Sequence, residues 1–127
     1  MNNAEKEMAI NAYFNMWVQR DFSALDTLFK TDVYYSECYG PEYYGLHEIH
    51  LWIDEMLQKQ KVLEWQIKRF LHENDTVVVE WFFKDKDTQN NEVHAFNGVS
   101  IIEFQTNGKI SSIKEFESKS EHITPYH

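Results

Sequence analysis

A single cysteine among 127 residues leaves Cys38 without an internal partner, which excludes a disulfide framework and a zinc site built on cysteine pairs. Such a chain suits a reducing cytoplasm. Positive charge is scarce as well. Twelve lysines and arginines face 21 aspartates and glutamates, giving a net charge of −9, and no basic patch of the kind that neutralises phosphates is visible. Nucleic acid is therefore not an expected partner. Long apolar runs are also missing: no stretch approaches the ~18 apolar residues of a membrane span, and Met1–Glu7 lacks the basic segment and apolar run of a secretion signal. The expectation is a soluble, untargeted protein without membrane contact. Its length fits one domain, 1–127, with a core over about 4–118 and a loose tail at 119–127.

Aromatic side chains, by contrast, make up 16% of the residues. A small core does not need so many large rings, so some are expected to line a cavity, with an ordinary aromatic core as the competing explanation.

The strongest local signal is the stretch His94–Glu117, where Asn107-Gly108 separates two apolar, β-branched runs. That pattern predicts a β-hairpin. An even loop sets Ser100 opposite Glu115, Ile102 opposite Ile113 and Val99 opposite Phe116. Period-two alternation then gathers Phe96, Ser100, Ile102, Ile113 and Glu115 on one face, and Ala95, Val99, Ile101, Ile110 and Phe116 on the other. Both faces are mainly apolar. Helices can cover one of them, and the other is expected to meet a second copy in a homodimer. A bulged loop would change this parity.

Upstream, Asn3 is placed to cap a helix over Ala4–Gln19 with Ile10, Tyr13, Phe14 and Trp17 on one stripe. Asp21 is read as the cap of a short helix, Phe22–Phe29. Val33–Tyr39 reads as a strand carrying Glu37 just before the Gly40-Pro41 turn. Leu46–Lys59 reads as a third helix, with Gly45 as its cap and Ile49, Trp52, Ile53, Met56 and Leu57 facing inward. His47, His50 and Asp54 share its opposite face at a spacing that metal ligands can have, but they are read as a solvated face, and no metal or cofactor is assigned. Val62–Leu71 and Thr76–Lys84 form a second antiparallel pair, with Glu80 assigned to the outer face.

Helix, short helix, strand, glycine-containing loop, helix and four long strands make an α+β order that can bend into a half-open cone. The segments Ala12–Leu28, Asp32–Ile49 (with Tyr44-Gly45-Leu46-His47-Glu48-Ile49) and Gly98–Phe116 resemble the nuclear-transport-factor-2-like superfamily, and within it the SnoaL-like polyketide cyclases and ketosteroid isomerases. The resemblance covers nearly the whole chain. It implies a cone-shaped, bent antiparallel sheet covered by about three N-terminal helices. By position, it puts the isomerases' hydrogen-bonding tyrosine on Tyr13, their general base on Glu37 and their protonated acid on Ser100, which donates less strongly. Gly108-Lys109-Ile110 matches the family's turn. The cyclases and epoxide hydrolases of the superfamily carry an acid on the last strand, which falls on Glu115, the same position that hairpin parity sets beside Ser100.

Trp17, Tyr35, Trp52, Phe96, His94, Ile102 and Ile113 complete the expected ligand-binding set. Cys38 has no histidine demonstrably near it and is not read as a nucleophile. Two functions stay open. One is a cofactor-free isomerase, cyclase or dehydratase acting on a small apolar carbonyl compound; the other is a non-catalytic binding domain on the same cone.

Overall fold

The computed structural model describes all residues, Met1–His127. Helix α1 (Asn3–Gln19) starts one residue earlier than expected, because Asn2 and Glu5 close a reciprocal cap. Asn2 Oδ1 accepts from the Glu5 N–H at 2.8 Å, and Glu5 Oε1 accepts from the Asn2 N–H at 3.1 Å. Helix α2 is shortened to Leu25–Leu28, since Asp21 uses its carboxylate to hold the Ser23 N–H in a turn. Phe29 has already entered strand β1 (Phe29–Ser36), where it pairs with Ile110. Glu37 and Tyr39 consequently lie in the turn beyond β1.

Strand β2 (Glu42–Tyr44) pairs back on β1 and leads into α3 (Gly45–Lys59). Tyr44 is the actual cap residue of α3, and Glu48 Oε1 accepts its N–H at 2.8 Å. Then follow β3 (Gln60–Glu73), β4 (Thr76–Asp87), β5 (Val93–Phe104) and β6 (Ile110–Lys119).

The six strands form one curved, unclosed sheet in the order β2-β1-β6-β5-β4-β3. Every pairing is antiparallel except that of β1 with β6, which is parallel. The hairpin register is as expected, with Ser100 opposite Glu115, Ile102 opposite Ile113 and Val99 opposite Phe116. Ile110 departs from it. A bulge between Glu103 and Phe104 shifts the count, so Ile110 pairs with Phe104 and turns into the core, where it is fully buried.

Helix α1 packs on β3 and α3 on β1, both on the concave face. There Val77, Val79, Trp81 and Phe83 of β4 meet Ile102 and Phe104 of β5, and the inward stripes of α1 and α3 close over them. Each fully buried side chain of this size contributes about 1.5–3 kcal/mol. No element covers the convex face, where Val99 and Ile101 are half-buried, Phe116 is 53% exposed, and Glu80 pairs with Arg69 at 3.2 Å. No helix is long and apolar enough to cross a membrane.

Candidate functional site

The inward face of β6 carries Glu115, and the parallel neighbour β1 sets Tyr35 beside Ile113, within reach of it. The Tyr35 hydroxyl donates to Glu115 Oε2 at 2.7 Å, and the Tyr13 hydroxyl of α1 donates to Tyr35 Oη at 2.8 Å. This tyrosine chain fixes one oxygen of the carboxylate, and no protein donor reaches the other. Burial raises the Glu115 pKa to about 8, opposed by the Tyr35 hydrogen bond and reinforced by the charge of Glu37. Both tyrosines are held well above their usual pKa, first by burial and then by the Glu115 charge, so they remain donors.

Glu37 approaches from the turn after β1. Its N–H donates to the Pro41 carbonyl at 2.9 Å, while its own carbonyl accepts from Gly40 at 3.2 Å. Gly40 has φ +107°, a conformation that favours glycine. The Tyr43 hydroxyl of β2 donates to Glu37 Oε2 at 2.8 Å, and the Tyr43 ring stacks on Trp52 at 4.8 Å. Burial raises the Glu37 pKa, and the Tyr43 hydrogen bond partly offsets this. No lysine, arginine or histidine forms an ion pair with either carboxylate.

The two carboxylates line one cavity with Trp17, Tyr35, Tyr39, Trp52, Trp65, Trp81, Phe83 and Phe96; Cys38, Met56, Gln60 and Val62 fill the gaps. The cavity has about 500 Å³ of free space counting its open mouth, room for a compact ligand. The indole N–H groups of Trp17, Trp52 and Trp65 are buried without a protein acceptor. An unpaired buried donor costs about 1–3 kcal/mol, and these three are sealed from the open part of the cavity. The Cys38 thiol is pushed up to about 12, by burial first and then by the charges of Glu115, Glu117 and Glu37, which keeps it protonated and a poor nucleophile.

The family model for the SnoaL-like domain matches residues 10–113. The chain belongs to the SnoaL-like domain family. Among curated proteins no match to this SnoaL-like domain is found. Solved structures align with it over most of its length. A candidate isomerase from Bacillus subtilis aligns at TM-score 0.81 and 16% identity, covering 93% of this chain and 90% of the other. A candidate polyketide cyclase from Xanthomonas campestris aligns at 0.78 and 14%, covering 93% of each chain. A protein of ketosteroid-isomerase-like fold from Catenulispora acidiphila, solved in complex with trimethylamine, aligns at 0.76 and 20%, covering 87% of this chain and 85% of the other. At these identities the likeness is one of fold.

In this SnoaL-like domain the residues singled out from sequence fall into three groups. Glu37, Glu115, Trp17, Tyr35, Trp52 and Phe96 line the cavity together. Tyr13, Ser100, Ile102 and Ile113 sit behind that lining, almost without exposure: the Tyr13 hydroxyl is committed to Tyr35, and Ser100 Oγ accepts from Trp81 Nε1 at 2.9 Å. His94 stands apart in an open groove with Glu117 and Lys119, near Asp85 at 3.5 Å and Glu92 at 3.7 Å. His50 meets Asp26 at 2.6 Å, while His47 and Asp54 are exposed. Sequence reasoning missed Tyr39, Trp65, Trp81 and Phe83 of the lining, and Tyr43 of β2, which holds Glu37. The alternation of β3 and β4 gives the inward direction of Trp65, Trp81 and Phe83, but which inward rings border a cavity depends on packing.

Proposed function

We propose that this SnoaL-like domain is a cofactor-free acid/base catalyst that moves a proton next to the carbonyl of a small compound, as in an isomerisation or a cyclisation. The observation that carries this reading is Glu115, a carboxylate without an ion-pair partner that lines an aromatic cavity and is braced by Tyr35 and Tyr13. Its raised pKa makes it the acid at neutral pH, while the less buried Glu37 supplies the base. Glu37 takes a proton from the carbon beside the carbonyl as Glu115 donates to the oxygen, giving a neutral enol. Glu37 returns its proton to a different carbon of the conjugated enol while the enol O–H proton passes back to Glu115, which completes an isomerisation without redox change and restores both carboxyl groups.

The test is exchange of carbon-bound protons in deuterated water, followed by NMR over a panel of small carbonyl compounds and amines. The amines are included because the Catenulispora protein was solved with trimethylamine. Glu37→Gln and Glu115→Gln are each expected to slow exchange by about 10²–10⁴-fold. No exchange with any compound by the native protein, with ligand binding intact, would favour the non-catalytic binder. That second reading is supported by the engagement of the Tyr13 and Ser100 hydroxyls elsewhere. We also propose that the convex face around Val99, Ile101 and Phe116 pairs with a second copy of the chain.

A further inference from the structure

We propose that the cavity selects a small organic monocation, a compact alkylammonium group held by aromatic rings with the Glu37 carboxylate as its counter-ion. This deepens the acid/base reading of the same site by naming the class of its substrate. The lining is the first ground. No lysine, arginine or histidine is among the cavity residues, whereas two glutamates are, and neither is neutralised by an ion pair. Burial disfavours the charged form of both carboxyl groups; a cationic group beside Glu37 would stabilise its carboxylate, whereas a neutral apolar ligand gives it no counter-charge.

Ring geometry is the second ground. Trp65 stands at 85° to Trp81 and at 87° to Phe83, with centroids 5.6 and 5.4 Å apart, and Tyr35 leans on Trp52 at 55°. Rings meeting at such angles give walls rather than a stack, as a cage for an alkylammonium group requires. The Glu37 end of this cage is fixed by Tyr43, which holds the carboxylate and stacks on Trp52.

The surroundings have the matching sign. Tyr39 at the mouth is raised above its usual pKa by burial and then by the charges of Glu117, Asp85 and Glu37, and the adjoining groove is lined by Glu117 and Glu121 against Lys119 and His94. On a chain of net charge −9, a cleft of this sign concentrates cations and repels anions.

The test is calorimetric titration of the full chain with choline, with its neutral isostere 3,3-dimethylbutan-1-ol and with the anion pivalate. Choline is expected to bind one per chain, at least about tenfold tighter than the neutral isostere, and pivalate not at all. Glu37→Gln should weaken choline by about tenfold and leave 3,3-dimethylbutan-1-ol unchanged, the latter also reporting that the variant is folded. The proposal is overturned if the neutral isostere binds as tightly as choline, or if Glu37→Gln leaves choline affinity intact. Proton exchange on neutral ketones without choline binding would sink the cation class alone. Choline binding without exchange on any carbonyl compound would sink the catalytic reading alone.

Discussion

A carboxyl group ringed by tryptophan and tyrosine ties the stability of the chain to pH. Glu115 has a folded pKa of about 8 against an ordinary 4.5, so between those values the native state holds a proton that the unfolded chain has released. The favourable contribution is complete below about pH 4.5 and is lost as pH rises through about 8. Burial of Glu37 acts in the same direction. Glu115→Gln should therefore gain stability relative to the native chain, by about 4 kcal/mol, between about pH 5 and about pH 9, as read from urea midpoints at both values. Tyr35→Phe removes the hydrogen bond that lowers the Glu115 pKa and orphans the Tyr13 hydroxyl. The expected result is a higher Glu115 pKa by carboxyl-carbon NMR, together with a loss of about 1–3 kcal/mol. At this scale, the sequence placed Glu115 through hairpin parity and Glu37 through its strand-to-turn position. It could not show that the Tyr13 and Ser100 hydroxyls would be engaged by Tyr35 and Trp81. Such pairing is decided by side chains from other elements.

Strands β4 and β5 hold one position where a single methyl group decides the packing. A Cβ built on Gly98 falls 2.2 Å from the Trp81 ring, which lies over the glycine and donates to Ser100. Gly98→Ala must displace that ring, with an expected cost of about 1–3 kcal/mol in the urea midpoint and a change in tryptophan fluorescence. The β5–β6 hairpin was legible because Asn107-Gly108 and the alternating residues around it are local signals. Ile110 was misassigned because a bulge has no comparable signature. The parallel pairing of β1 with β6 was not legible either, since nothing in Phe29–Ser36 specifies a distant partner strand. Phe29 shows the same limit: its spacing fits a helix, but pairing with Ile110 draws it into the sheet.

The molecule as a whole carries its helices on one side of a curved sheet and leaves Val99, Ile101 and Phe116 uncovered on the other. Analytical ultracentrifugation at micromolar concentration is expected to give the mass of two chains, and Phe116→Lys the mass of one, because a lysine facing its symmetry mate places two like charges in an apolar contact. A single-chain mass for the native protein would refute the dimer. The parallel seam between β1 and β6 also bears on how the chain reaches its native form. Tyr35 and Glu115 touch at 2.7 Å yet lie 80 residues apart, so their meeting must overcome the loop-closure entropy of most of the chain. On the ribosome, β1 emerges long before the strand it will lie against, and at about 5–20 residues per second it waits several seconds with that edge unpaired. The cavity is therefore completed only once β6 has been synthesised, and a nascent chain stopped short of β6 has neither Glu115 nor the seam that brings the two halves of the site together.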